Sequence, residues 1–389
     1  MYALTFINCG YTRPLKYYKQ APTTIFVYAY IIYPCMMTHD IKTAANILNL
    51  LNKPATQGDV AKAAGVSTAT VSRVINQPNS VREGIRLRVQ MAMAELDYVA
   101  DAGARALASK RSRCIGAVIP TLANAIFADG IEAFESCLNQ AGFSLMLTTS
   151  GYDSQHELTQ VKTLIERGVD AVMLVGLNHD PLIYKLLQQR NIPYVLTWAY
   201  QRDCLHPCVG FNNYEAAKLL PLHLTSLGHQ RFAIISGISE ANDRALDRLK
   251  GMKDALLAQG ITLSKDTIIE CTYKIEAGRE ACRALLNLPS PPTAILCSND
   301  VLAAGALLEC QASGIEIPDQ LSIAGFDDLA LSANLTPSLT TMHIPFKLMG
   351  QLSAQYLIDR LAGASPQAQQ QLQVELRLRH STAAPTNKH

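Results

Sequence analysis

Beyond Cys114 the chain alternates between two hydrophobic rhythms. Short, wholly apolar runs such as "CIGAVIP", "FSLMLTT", "VDAVMLVG" and "PYVLTW" read as buried strands. Between them, "ADGIEAFESCLNQAG", "HELTQVKTLIERG" and "LIYKLLQQRN" place apolar residues every three or four positions, as amphipathic helices do. After "YEAAKLLPLHLTSLG" the pattern restarts with "RFAIISG", "TAILCSND" and "LSIAGFDD". Strand–helix alternation predicts parallel sheets covered by helices on both faces. The restart predicts two such lobes, an α/β fold. Ligands in open sheets of this kind bind beyond the carboxyl ends of the strands. The polar strand-end residues Asn299 and Asp300, and Asp327 and Asp328, are therefore candidate ligand contacts.

The front of the chain has a helical rhythm with explicit punctuation. Thr56 and Asp59 fit a capping box, with Val60 and Ala63 or Ala64 forming one apolar face. Gly65 suits a chain reversal that a Cβ would resist, and Ser67 is placed to cap a second helix. Val71 and Val74 then face the first helix and leave Thr68, Ala69, Ser72 and Arg73 outward. Ser80 and Glu83 suggest another capping box, opening a third helix with Ile85, Val89, Ala92 and Leu96 on one face. Two short helices joined by a glycine turn form a helix-turn-helix. Small hydroxyl and methyl side chains at the start of the second helix suit base edges in a major groove, and Arg73 suits a base or a phosphate. On residue types alone, a small helical hairpin without a DNA role remains open. "DAGARALASKRSR", Asp101 to Arg113, is a weak helix followed by a basic run. It reads either as a solvated linker or as a helix that orders on DNA, with Leu107 available as a minor-groove wedge.

Charge sharpens this division. Residues 1–54 and 55–113 carry +4 each, leaving −6 for 114–389. A basic front on an acidic body points to a polyanionic partner for the front alone. The first residues stand apart. No Asp or Glu occurs before His39, and seven of the fifteen Tyr precede Pro34. "TTIFVYAYIIYPCMM" is shorter than the roughly 20 apolar residues of a membrane span, and no small-residue cleavage site follows it. The compositional break suggests translation from Met36 or Met37, an expectation that detection of Met1 by N-terminal mass spectrometry would overturn. The ten Cys lack framework spacing and read as reduced thiols. Cys204-Leu-His206-Pro-Cys208 has no second ligand pair at a metal-binding spacing, so it reads as a loop with two thiols and no metal is expected.

Four stretches together, "DVAKAAGVSTATVSRVIN", "AMAELDYVADAGARALASKRSRCIGAVIP", "SNDVLAAGALLECQASGIEIPDQLSIAGFDD" and "PSLTTM", resemble the LacI/GalR family of bacterial transcription regulators. The resemblance runs from about Thr56 to about Ser381. "IPTLANAIFADGIEAFES" and "VGFNNYEAA" are most similar to the gluconate-operon repressors within it. It implies a two-lobed core like that of periplasmic binding proteins, carrying an N-terminal all-α helix-turn-helix headpiece. It implies base reading by Thr68 and Ala69, support from Ser72, Arg73 and Asn76, and hinge-helix contacts from Arg105 and Leu107. Gly103, where the family often has Val, lowers helix propensity by up to about 1 kcal/mol. In the core the resemblance implies effector contacts from Arg248, Asn299 and Asp327, with Ile126 and Phe127 as the wall of the other lobe. Asn212 stands where many members carry Asp, which would ease binding of an anionic sugar acid. Trp198, the only Trp, ends "PYVLTW" and is expected near the mouth of the cleft, although the usual burial of Trp gives more weight to a core aromatic at a strand end.

The expected organisation is an extension over 1–54, a headpiece over 55–101, a hinge over 102–113 and a two-lobed effector and dimerisation core over 114–389. No Gly-rich phosphate loop, nucleophile elbow or clustered His pair is present in the sequence, so neither an enzyme nor a cofactor is expected. The expected partners are double-stranded operator DNA, a small sugar or sugar acid and a second copy of the chain, in the cytoplasm and away from membranes. The polar "ASPQAQQQLQ" before "VELRLR" shows no tetramerising segment. Without its headpiece the body would read as a periplasmic sugar-binding protein. A sugar enzyme is the more distant alternative, to be recognised by turnover of a sugar acid.

Overall fold

A computed structural model describes residues 54–100 and 111–386. The N-terminal extension up to residue 53, and the hinge residues Arg105 and Leu107, lie outside the described residues. The chain divides at Asp101 into two compact units.

In the first unit, α1 (Gln57–Ala64), α2 (Thr68–Asn76) and α3 (Glu83–Glu95) enclose a small core of Val60, Ala61, Ala64, Val71, Val74, Val89 and Ala92. The first capping box forms reciprocally. Thr56 N donates to Asp59 Oδ2 at 2.8 Å, and Asp59 N donates to Thr56 Oγ1 at 3.3 Å. Gly65 ends α1 in the left-handed region at φ 64°, and Ser67 Oγ accepts from Thr70 N at 3.1 Å to start α2. The expected second capping box does not form. Pro78 opens a 3₁₀ turn over Pro78–Ser80, in which Ser80 Oγ donates to Gln77 O at 2.7 Å. The N-cap position therefore falls on Arg82, and Glu83 becomes the first helical residue. Leu96 leaves the predicted apolar face because the helix ends at Glu95. It is exposed, and Met93 and Tyr98 pack on the core instead.

The second unit holds two six-stranded sheets. Lobe 1 contains β1 (Cys114–Ile119), β2 (Ser144–Thr149), β3 (Ala171–Val175), β4 (Tyr194–Thr197), β5 (Cys208–Gly210) and, returning late, β11 (Gln369–Gln371). Their order is β11-β5-β4-β3-β1-β2, with every pair parallel. β1 lies between β2 and β3, Ile115 lying opposite both Leu145 and Ala171. Lobe 2 contains β6 (Phe232–Gly237), β7 (Ile268–Cys271), β8 (Ala294–Cys297), β9 (Ser322–Asp327), β10 (Thr340–His343) and β12 (Glu375–Arg377) in the order β12-β10-β9-β8-β6-β7. Only β12 runs antiparallel to its neighbour. The Gln-rich stretch before "VELRLR" is thus more than a polar connection, because Gln369–Gln371 pair with Cys208–Gly210 as an edge strand.

Helices cover the sheets: α4 (Ala125–Gln140), α5 (Ser154–Glu166) and α6 (Pro181–Gln189) in lobe 1, and α7 (Asn213–Ser226), α8 (Asp243–Ala258), α9 (Ile275–Leu286) and α10 (Asp300–Ala312) in lobe 2. After β10 the chain returns to lobe 1, where α11 (Phe346–Leu361) packs along α4. Gly350 permits that approach, since a Cβ there would collide with the Gly130 carbonyl. The strands of each lobe end at the gap between the lobes, and those ends position the candidate ligand residues. Among the described residues no helix is long and apolar enough to cross a membrane.

Candidate DNA-reading helix and effector cavity

The first turn of α2 is built to present small polar groups. Thr68, Ala69 and Arg73 are exposed, while Ser72 and Asn76 are half-buried and joined by Asn76 Nδ2 donating to Ser72 Oγ at 3.2 Å. Val71 and Val74, on the opposite face, lock the helix onto the headpiece core. Gln57, which the sequence did not single out, donates through Nε2 to Thr68 O at 3.1 Å and fixes the start of α2 against α1. All five predicted readout residues thus lie on α2, with Thr68, Ala69 and Arg73 exposed.

In the two-lobed unit, Arg248 is the hub. It is buried on α8, with its guanidinium carbon 3.9 Å from the centre of the Phe326 ring. Its Nε donates to Asn213 Oδ1 at 2.8 Å, and its Nη1 donates to Ser298 O at 2.9 Å and Asp327 Oδ1 at 3.2 Å. Asn213 Nδ2 donates in turn to Trp198 O at 2.9 Å. One polar chain therefore links Asp327 through Arg248 and Asn213 to the end of β4. Asn299 caps α10, its Oδ1 accepting from Leu302 N at 2.9 Å, which leaves Nδ2 buried and unpaired. Asp327 Oδ2 is buried and unpaired as well.

The Asp327 carboxyl is pushed up to about 8 by burial, which outweighs the opposing pull of Arg248. Burial therefore favours the protonated carboxyl toward neutral pH. A protonated Oδ2, the oxygen that Arg248 does not touch, would be a donor where an acceptor is expected. Asp300 rises to about 6, again through burial, although Ser332, Thr341 and Leu329 N all donate to it. It fastens the loop after β9 and does not face the cavity chemistry. Asp328 is held by Arg379 Nη2 at 2.6 Å and His343 Nδ1 at 2.9 Å. Asp327 and Asp328 both have positive φ, 121° and 56°. Such backbone conformations cost on the order of 1–3 kcal/mol each and gather at functional sites.

Four residues expected at the site have other surroundings. Asn212 caps α7, accepting from Glu215 N at 3.0 Å, and its neighbour Asn213 takes the place at Arg248. Trp198 is not at the cleft mouth. It lies in the lobe 1 core, 5.3 Å from Phe127 and 6.4 Å from Phe346 between ring centres, because α11 closes over the end of β4. Ile126 and Phe127 are buried in the same core. Two cavities do open between the lobes. One of about 620 Å³ is lined by Asn124 and Tyr152 from lobe 1 and by Asn242, Tyr273 and Lys274 from lobe 2. The other, about 380 Å³, lies between Ser150 and Asn178 on one side and Asp243 and Arg244 on the other. Tyr152 lines both, and it approaches Tyr273 across the gap at 6.3 Å between ring centres. The strand-end rule that selected Asn299 and Asp327 would also have reached Tyr152 and Tyr273, which follow β2 and β7.

Residues 56–101 match the family model described as bacterial regulatory proteins, lacI family, and residues 222–382 match the periplasmic binding protein-like domain. The repressor CytR of Escherichia coli K12 is 32% identical over 332 residues, covering 85% of this chain and 97% of that protein. The chain belongs to the LacI family. This LacI-family protein is 30% identical to the regulator GntR of Escherichia coli K12 over 307 residues, covering 79% of this chain and 92% of the relative. Its fold superposes on the lac repressor dimer bound to operator and the anti-inducer ONPF with a TM-score of 0.75, at 30% identity, over 85% of this chain and 100% of that one. It is a ligand-responsive, DNA-binding transcriptional regulator, and the relatives are regulators, not enzymes.

Proposed function

We propose that this LacI-family regulator is a cytoplasmic, non-catalytic homodimer that represses genes for the use of a carbohydrate or sugar acid. A sugar acid of the gluconate kind, bound between the lobes, controls it. In this reading Thr68 and Ala69 read bases, and Ser72, Arg73 and Asn76 support them. Arg105 and Leu107 act from the hinge.

The observation that supports the effector class is the lining of the larger cavity, where Asn124 Nδ2 is buried without a partner beside Tyr152, Tyr273 and Lys274. This set is made of donors and dual-role hydroxyls. It suits an oxygen-rich ligand bearing one carboxylate more than a cationic one. Identity to GntR and to CytR is nearly equal, so the support for a sugar acid comes from these cavity groups.

The test is selection of bound DNA fragments by the full chain, followed by a screen of sugars and sugar acids for changes in operator affinity. A response to a sugar acid is expected. If the whole panel leaves operator affinity unmoved, the sugar-acid reading fails and a non-sugar metabolite takes its place. Sedimentation is expected to show a dimer, and a tetramer would overturn that state. Leu107→Ala is expected to reduce operator bending in an energy-transfer assay while leaving effector affinity intact. Unchanged bending would remove the wedge role.

A further inference from the structure

The effector hub and a contact between the lobes share one helix. At the start of α8, in lobe 2, Asp243 Oδ2 accepts from the backbone N–H of Leu177 at 2.6 Å and of Asn178 at 3.2 Å, both in lobe 1. Asp243 Oδ1 accepts from Arg244 Nη1 at 2.7 Å, and the same Nη1 donates to Val175 O at 3.1 Å. Two adjacent side chains thus close on the end of β3 from both sides, one accepting and one donating. Arg244 is a single helical turn from Arg248, so the contact and the hub lie on the same face of α8.

The receiving loop is shaped for this pair. Gly176 has φ 105°, and a Cβ there would collide with Arg244 Nη1 and crowd both Asp243 oxygens. Its carbonyl is held from behind by His179 Nε2 at 3.1 Å, while His179 Nδ1 meets Glu157 Oε2 at 2.8 Å, both side chains being buried. Gly176 N donates to Thr197 O at 2.9 Å. The loop is therefore fixed within lobe 1 before lobe 2 engages it.

We propose that Asp243 and Arg244 are positioning residues that clasp lobe 2 onto Gly176 of lobe 1 and hold the two lobes in their closed relation. The effect on ligand affinity rests on the effector reading above, because Asp243 and Arg244 themselves line the smaller cavity between the lobes. Charged groups clasping backbone N–H donors are among the stronger hydrogen bonds in proteins.

The experiment measures amide hydrogen exchange over residues 175–180 in the full chain without ligand, for the parent, Asp243→Ala, Arg244→Ala and Arg244→Lys. Leu177 and Asn178 are expected to exchange about tenfold faster in Asp243→Ala, from the loss of hydrogen bonds to a charged acceptor. Arg244→Ala is expected to show a smaller increase that Arg244→Lys largely reverses, a rescue that mere loosening of α8 would not produce. Small-angle scattering is expected to show a larger radius of gyration in Asp243→Ala. Unchanged exchange at Leu177 and Asn178, or exchange accelerated equally throughout the unit, overturns the clasp. D-gluconate, used as the probe, is expected to bind about tenfold more weakly to Asp243→Ala than to the parent. If the parent itself fails to bind gluconate while exchange accelerates locally, the clasp stands and the sugar-acid reading falls. Should Asp243→Ala fail to fold, the Arg244 pair supplies the same comparison.

Discussion

Arg248→Ala is expected to abolish the effector response while leaving effector-free operator binding intact. The guanidinium is the one group that ties Asn213, the Ser298 carbonyl and Asp327 together, and it lies flat on Phe326. Removing it leaves a cavity beside an aromatic ring and strips three acceptors of their donor. Breaking a buried ion pair from one side commonly costs about 3–5 kcal/mol. Here the cost is expected below that range, because Asp327 already prefers its proton at neutral pH and will not remain as a bare buried charge. Calorimetry should therefore show a folded protein, moderately destabilised, with ligand binding lost. Trp198 fluorescence is a poor reporter of that loss, since the indole packs inside lobe 1. Retained ligand affinity in a folded Arg248→Ala chain would remove Arg248 from the effector site.

The same geometry fixes a pH dependence. The folded Asp327 carboxyl sits at about 8 against an ordinary value of 3.8. Between those values the native chain holds a proton that the unfolded chain has released, so stability falls as pH rises through the window and is favoured at its acid end. Asp327→Asn imitates the neutral acid and is expected to flatten this slope. It should keep much of the ligand affinity at pH 7, because the amide still offers a donor at the position of the free oxygen. Melting temperatures of the two chains from pH 5 to 9 decide the matter; parallel curves would mean that Asp327 is ionised throughout.

What the sequence made legible follows the reach of each interaction. The capping box at Thr56, the turn at Gly65 and the cap at Ser67 are settled within a few residues, and all three formed as expected. Ser80 failed by the same local logic, since the turn that opens at Pro78 brings its hydroxyl to the Gln77 carbonyl instead of to the helix start. Strands and lobes were legible because wholly apolar runs leave few alternatives to a parallel sheet covered on both faces. Of the strand-end polar residues, Asn299 and Asp327 are both buried, Asp327 against Arg248, while Tyr152 and Tyr273 line the larger cavity between the lobes. Asn212 and Asn213 differ by one position, and a single step at a helix start swings a side chain by about 100°. Pattern alone does not say which of the two faces Arg248. For Trp198 the structure bears out the core reading over the cleft-mouth one; its neighbour Phe346 arrives from far along the chain, on a helix whose return to lobe 1 no local signal announces. The grip of Asp243 on Leu177 is equally non-local. From sequence, that aspartate is only an acidic residue in a first helical turn.

Thr68→Ala and Arg73→Ala are expected to weaken operator binding by about 1–3 kcal/mol per lost specific contact. Binding to two half-sites applies the loss twice, so a hundredfold or larger change is within reach. Both side chains are exposed, and the headpiece core is made by Val71, Val74 and their partners on α1 and α3. Neither change should therefore lower the melting temperature appreciably, whereas Val71→Ala should. The two variants are separable by salt. If Arg73 contacts a phosphate, its loss weakens all sequences alike and flattens the dependence of affinity on salt. If it contacts a base, the slope changes little and preference at one position of each half-site relaxes. Thr68→Ala, which removes no charge, should leave the slope alone and relax base preference through its missing hydroxyl. Binding by both variants equal to that of the parent, with the melting temperature unchanged, would show that α2 does not face DNA bases and that the readout lies on another element.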